Sequence, residues 1–472
     1  MKSVVWFRRD LRIADNTALY QAARESSEGV VGLFVITAKQ WKEHDEADCK
    51  VEFWLDNLAI LSTELAKLRI PLRIETSETF ADVPDLIVNF TRKNKCSAVY
   101  LNREYEVNEL RRDANVALAC RQSDIGVRRF HDRIVVPPRE ITTKEGKFYS
   151  VFTPYRRVWE TKALDFLDVL PKPQKQPELK LMPSKVPVKV PGFEFSGLRK
   201  DLWKAGEKEA HRRLGKFTDK ISNYQEARDT PSINGTSLLS PYLAAGVISP
   251  RQCLAAAVAA NNGKVRNDDG PSTWISELCW RDFYTHVMVA CPRVSRHQPF
   301  KSKTNALNWR TNEDDFEAWS TGQTGYPLVD AGMRQLNQTG WMHNRLRMVT
   351  AMFLTKNLLI DWRWGERYFM QRLVDGDLAA NNGGWQWSAS TGTDSVPYFR
   401  IFNPFSQSKR FDPEGLFIKK MCPELQDVPP SALHDPKKLT ASISELELDY
   451  PGFVVDYKAG RERALKAFKS LS

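Results

Sequence analysis

The feature that most constrains this chain is a rhythm confined to its first 131 residues. Five short runs rich in β-branched and aliphatic residues, SVVWF (3–7), VVGLFVI (30–36), PLRIE (71–75), SAVYLN (97–102) and GVRRFH (126–131), read as strands. Between them lie periodic segments such as 47–69 and 106–122, long enough for crossover helices. Strands joined by helices close as an open, doubly wound parallel sheet with helices on both faces. The first strand is followed by RRDLRIADN and not by G-x-G-x-x-G, so the dinucleotide-binding fingerprint is missing. Such a fold places a ligand at the C-terminal ends of its strands without naming it.

The rhythm then stops. Residues 171–191, PKPQKQPELKLMPSKVPVKVP, are dense in proline and lysine and have no apolar period. Proline removes backbone donors and biases its neighbours to extended conformations, which predicts a connector running over the surface. From about residue 200 the periodicity is helical, with broad apolar faces at 272–290 and 341–359. A chain of 472 residues exceeds one ordinary core. The expected organisation is therefore an α/β domain over 1–132, a linker over 133–200 and an all-α domain over 201–472.

Composition removes several classes. The seven cysteines are odd in number and never form a C-x-x-C pair, and the seven histidines show no H-E-x-x-H spacing. Neither a disulfide framework nor a metal site is expected. No apolar run of about 20 residues exists, so no membrane span is predicted and the chain reads as cytoplasmic. A formal charge of +11 suits a polyanionic partner and also plain solubility. The absence of G-x-x-x-x-G-K-[ST] excludes P-loop nucleotide hydrolysis.

Three motifs point to chemistry. In TWISELCWRDFYTHV, Trp274, Glu277, Trp280 or Arg281, and Tyr284 recur at helical spacing and share one face. An unpaired carboxylate in the middle of an aromatic stripe costs several kcal/mol, so Glu277 calls for a donor that a ligand could supply. In GWMHNRLRM, Trp341, Asn344 and Met348 align with Arg345 and Arg347 beside them, an amide–thioether–indole set suited to a flat heterocycle. GTSLLSPYLAAG puts Thr236, Ser237 and Ser240 where a helix begins, compatible with an ordinary N-cap and with phosphate binding.

Taken together, GTSLLSPYLAAG, WISELCWRDFY, GYPLVDAGMRQL, TGWMHNRLRM and DGDLAANNGGWQW occur in the order and spacing of the photolyase and cryptochrome flavoproteins. VVWFRRDLRIADNTAL and YEVNE are similar to that family too. The resemblance covers essentially the whole chain and is closest to bacterial class I cyclobutane pyrimidine dimer photolyases. It implies an enzyme, a carbon–carbon lyase that repairs DNA under light with a buried, fully reduced FAD. Asn381 corresponds to the residue facing flavin N5, and Asp375, Gly376 and Asp377 lie by the flavin and its ribityl chain, with Arg347 pairing Asp375. Tyr224, Thr236, Ser237, Leu238, Leu239, Ser240 and Trp274 match FAD-binding positions. Leu238 departs from the arginine or glycine found in relatives, which removes a side-chain phosphate contact there.

By the same resemblance, Trp385, Trp362 and Trp309 form an electron-hopping chain. Glu277, Trp280, Arg281, Tyr284, Asn344, Arg345, Met348, Trp387 and Arg400 face DNA containing the dimer, Glu277 also acting in catalysis. The histidine of (6-4) photolyases is absent from the Asn344 helix, and DASH-type relatives usually carry tyrosine at Trp387. The competing class is a non-enzymatic blue-light photoreceptor with the same flavin pocket. His44, Asn108 and Glu109 resemble a 5,10-methenyltetrahydrofolate antenna site; Arg296, next to Ser295, replaces a Cys-Lys pair of relatives, and a deazaflavin or an empty site stays open. The implied protein is a monomer, free of membrane and metal, that meets the nucleoid through DNA.

Overall fold

The computed structural model describes residues 1–195 and 197–471. Strands β1 (Ser3–Phe7), β2 (Val30–Ile36), β3 (Leu72–Thr76), β4 (Ala98–Asn102) and β5 (Gly126–Phe130) form one all-parallel sheet in the order β3-β2-β1-β4-β5. Every residue of β1, β2 and β4 is buried, as the uninterrupted apolar runs require when helices cover both faces. The crossover helices Asp48–Lys67 and Val107–Arg121 occupy the expected periodic segments. The chain winds outward from β1 to β3, then returns to the other side of β1 as β4. The strand order thus reverses between β1 and β4, and their C-terminal ends flank a crevice.

The proline-rich connector has a defined job. Ser184 N–H donates to the Leu72 carbonyl at 2.8 Å and Ser184 Oγ accepts from Ile74 N–H at 3.0 Å, so the connector covers the β3 edge. Leu179 and Leu181 pack against the core beneath. Proline could not have joined a ladder, but one serine between prolines supplies the donor and acceptor that the edge needs.

Two compact units divide the chain. The first comprises Met1–Ser222, Ser237–Pro292 and Val374–Asp377; the second comprises Asn223–Thr236, Arg293–Leu373 and Leu378–Ser472. The first unit therefore takes in helices Glu207–Thr218, Pro250–Ala260 and Gly270–Ala290 beyond the α/β sheet. A buried charge cluster joins them to it: Asp132 accepts from Arg12 at 2.5 Å and from Arg251 at 3.0 Å, and Arg251 also reaches Asp15 at 3.0 Å. Burial works against the Asp132 charge, but the two guanidinium groups outweigh it and hold the carboxyl well below its usual range.

In the second unit, Tyr326, Leu346, Phe353, Trp362, Phe369 and Trp385 belong to one core. The periodic stretch 341–359 is not a single helix. It runs as Asn344–Met352, started by His343 Nδ1 accepting from the Arg345 N–H at 3.2 Å, and then widens into a π-helical turn at Phe353–Asn357. Apolar spacing shows the buried face but not the wider turn. Among the described residues, no helix is long and apolar enough to cross a membrane.

Candidate functional site

The first unit contributes one helix face. Asp269 caps Gly270–Ala290 by accepting from Ser272 N–H at 2.8 Å, and Pro271 sits in the first turn. Most of the 21 residues of this helix are buried, and Glu277, Trp280, Arg281 and Tyr284 are half-buried along one open stripe. Trp274 lies off that stripe: it is 4% exposed and packs against Phe217 with ring centroids 4.9 Å apart. Phe152 stacks on Trp280 at 3.6 Å with 7° between planes, so one face of the indole is already covered.

Asp375, Gly376 and Asp377 belong to this unit as well. Asp377 accepts from Arg133 at 3.0 Å, and Arg281 donates to the Arg133 carbonyl. Beyond Arg133 the charges alternate, with Glu106 at 3.5 Å from Arg133 and 2.6 Å from Arg9, and Glu104 at 2.6 Å from Arg9 and 2.7 Å from Arg112. Burial opposes the Glu104 charge, yet Arg9, Arg112, Arg8 and Arg133 hold its carboxyl well below the usual range. Each carboxylate of the row is paired with guanidinium groups, the pairing that buried charges require.

That row ends at the crevice where the strand order reverses. Trp6, Trp41, Trp54 and Phe80 form its aromatic walls, and Arg9, His44 and Glu109 are polar groups within it. Asn108 Nδ2 lies 2.9 Å from His44 Nε2, and His44 Nδ1 lies 3.5 Å from Glu109. Burial, then the charge of Glu106, pushes the Glu109 carboxyl up to about 8, and burial lowers His44. At neutral pH Glu109 is therefore a hydrogen-bond donor. The sequence reading named His44, Asn108 and Glu109, of which His44 and Glu109 line this crevice, and did not name the aromatic walls. The signal was available in the arginine pair directly after β1, at the point where the topology places a ligand. Arg296 lies in the second unit, in the short 3₁₀ helix Val294–Arg296.

The second unit contributes helix Leu378–Ala389. Asn382, Trp385, Gln386 and Ala389 are buried, whereas Ala380 and Gly384 are exposed and Asn381 and Trp387 half-buried. Asn381 Nδ2 donates to the Glu366 carbonyl at 2.9 Å, which holds one end of the amide. A Cβ at Gly384 would meet nothing within 4 Å. Trp385 is 2% exposed, yet its Nε1 has no acceptor among the described residues. An open helix face, an amide held at its nitrogen and an indole N–H without an acceptor among the described residues fit a flat, hydrogen-bonding ring system such as a flavin.

Trp362 is buried and Trp309 packs against the same core, with Phe468 at 6.2 Å from Trp309. Phe369 and Trp319 flank Trp385 at 5.0 and 5.9 Å, and the sequence reading had assigned Trp319 no role. Asn344 is exposed, and Arg345, Arg347 and Met348 are half-buried on the same short helix. Arg345 reaches Asp229 at 2.8 Å and lies over Phe411 at 4.3 Å, and Arg347 Nε donates to the Met342 carbonyl at 2.8 Å. Tyr224 is buried with Arg228 over its ring, and Arg400 is exposed.

The hydroxyl run is divided between the units, Thr236 ending a segment of the second and Ser237 to Ser240 opening one of the first. Leu239 N–H donates to Ser237 Oγ at 3.4 Å, and Ser240 starts helix Ser240–Ala244. Leu238 holds φ +53°. That left-handed backbone is one that glycine adopts without strain and that a residue with a Cβ adopts at a cost.

Residues 3–178 match the family model described as DNA photolyase, and residues 274–470 match that of the FAD binding domain of DNA photolyase. The chain belongs to the DNA photolyase family, the class that its parallel sheet and helical flavin-type face define. Within that family it is 42% identical to the deoxyribodipyrimidine photo-lyase of Escherichia coli (strain K12), over 99% of this chain and 98% of the relative. The class III photolyase from Agrobacterium tumefaciens superposes with a TM-score of 0.88 at 33% identity, covering 100% of this chain and 97% of that one. The archaeal photolyase from Sulfolobus tokodaii, which holds two FAD molecules, gives 0.81 at 32% identity with full coverage of both chains.

Proposed function

We infer that this chain is a deoxyribodipyrimidine photo-lyase, a light-dependent DNA repair enzyme that splits cyclobutane pyrimidine dimers with reduced FAD. The carrying observation is the open stripe of helix Gly270–Ala290, where a carboxylate and two aromatic rings interrupt an otherwise buried surface. Bound FAD supplies the electron that light promotes to the lesion. The residues of the chain do the remainder. Photolyases take the damaged step out of the base stack before chemistry. The uncovered face of Trp280, backed by Phe152, suits stacking on an extruded base, as does Trp387. Glu277 hydrogen-bonds the pyrimidine edges and favours charge developing on a carbonyl over the ground state. Asn381 presents a neutral amide, which adds no charge beside a ring that must hold a negative one.

Arg345 and the exposed Arg400 meet phosphates. The protein acts as a cytoplasmic monomer at the nucleoid. In the crevice of the α/β sheet, neutral Glu109 with His44 and Asn108 binds an antenna, read as 5,10-methenyltetrahydrofolate. An absorption spectrum of purified protein tests this, since folate adds a near-ultraviolet band to those of the flavin.

The decisive assay is repair of a defined thymine dimer by reduced enzyme under near-ultraviolet light. Glu277→Ala is expected to keep FAD and to bind the dimer about 1 to 3 kcal/mol more weakly, the cost of leaving buried polar groups unmatched. Wild type that holds FAD but splits no dimer is a photoreceptor instead. Normal repair by Glu277→Ala removes only the catalytic role of that residue.

A further inference from the structure

Glu366 is 1% exposed and lies in helix Trp362–Met370. Its two carboxylate oxygens are both occupied: Oε1 accepts from Asn382 Nδ2 at 2.8 Å, and Oε2 lies 2.8 Å from Nδ1 of His297. His297 is the one basic residue whose side chain is bonded to Glu366 among the described residues, and its own side chain is 50% exposed. A carboxylate taken from water needs compensation, and here it comes from a group that reaches in from the surface. The same Glu366 holds Asn381, through its backbone carbonyl, at 2.9 Å. One residue therefore anchors two adjacent side chains of helix Leu378–Ala389.

The backbone is arranged for this reach. His297 follows the 3₁₀ helix Val294–Arg296 with φ +54°, a left-handed conformation uncommon for a residue with a Cβ, and Arg363 Nε donates to its carbonyl at 2.7 Å. The following residues are tied to the same helix: Gln386 Nε2 donates to the Gln298 carbonyl at 3.3 Å and to Asn382 Oδ1 at 2.8 Å, while Gln386 Oε1 accepts from Phe300 N–H at 2.8 Å. His297, Glu366, Asn382 and Gln386 thus form a chain of hydrogen bonds in which both polar atoms of Glu366, Asn382 and Gln386 are paired, the kind that fixes one geometry.

We propose that His297 is a positioning residue for Asn381, compensating Glu366 from the surface and thereby fixing which end of the Asn381 amide faces the flavin. Without His297, Glu366 Oε2 loses its hydrogen-bond partner, and the helix turn whose carbonyl holds the Asn381 N–H loosens. The proposal rests on the reading of Asn381 as the flavin-facing residue.

The test uses FAD-loaded full-length protein, photoreduced and then followed by absorbance as its flavin reoxidises in air. His297→Ala is expected to raise the reoxidation rate at least threefold. His297→Gln, which keeps a side-chain N–H for Glu366, is expected to stay within twofold of wild type. Asn381→Ser serves as the reference and is expected to accelerate reoxidation on its own. If Asn381→Ser accelerates and His297→Ala does not, the positioning role of His297 is overturned while the Asn381 reading stands. If Asn381→Ser leaves the rate unchanged, that reading fails and the proposal with it. Equal acceleration by His297→Ala and His297→Gln overturns positioning through the hydrogen bond to Glu366.

Discussion

A tryptophan only 2% exposed, with no acceptor for its N–H among the described residues, is held by packing between Phe369 and Trp319. Trp385→Phe retains that packing nearly in full but replaces an oxidisable indole by a ring that is much harder to oxidise. Light-driven reduction of oxidised FAD is expected to fail in this variant, whereas chemically reduced protein still repairs; photoreduction at the wild-type rate would remove Trp385 from the electron path. Glu109 makes a different residue-scale case. Its carboxyl is raised to about 8, so the donor form prevails at pH 7 and is lost as pH rises through that value. Because the folded value exceeds that of a free glutamate, about 4.3, its ionisation also costs fold stability as pH climbs through this window. Antenna retention should therefore drop above pH 8 in wild type and stay level in Glu109→Gln, as read by the near-ultraviolet band after gel filtration. The resemblance of YEVNE to the family's antenna site singled out Glu109. Its protonation depends on burial and on Glu106, which no spacing reveals.

Between elements, a close constraint lies where helix Trp362–Met370 meets helix Leu378–Ala389. A Cβ on Gly365 would sit 2.0 Å from Cη2 of Trp385. Gly365→Ala must therefore move the indole or part the helices, and overpacking of this kind costs about 1 to 3 kcal/mol. The expected result is a lower unfolding temperature together with slowed photoreduction; an unchanged melt would place slack in this contact. Glycine in W-R-W-G-E-R reads in sequence only as a weak helix position. The same holds for Trp274, which helical spacing groups with Glu277 although it packs inward on Phe217. Periodicity defines a stripe about 100° wide, and its margin divides into core and site only when neighbouring elements arrive. The connector shows the converse, since proline content identified it while the β3 edge decided its path.

Across the whole chain, the formal charge of +11 and the exposed Arg400 give the proposed DNA reading a test in salt dependence. Affinity for damaged duplex is expected to fall linearly with salt on logarithmic axes, by about 0.9 per phosphate contacted, and Arg400→Ala is expected to lower that slope by roughly one. Affinity indifferent to salt would remove the phosphate role. The parallel sheet and the helical half were legible in the sequence, because strand and helix periods are local properties of side-chain order. The family was legible as well, through motifs that mean little singly and much in their joint order. Tertiary structure alone decided the rest. It set Asp132 between Arg12 and Arg251, turned Leu238 to a left-handed backbone, walled the crevice with Trp6, Trp41, Trp54 and Phe80, and brought His297 to Glu366. Each of these joins residues far apart in the chain or fixes a conformation that neighbours enforce, and burial, which sets their charge and contact, is a property of the folded surroundings.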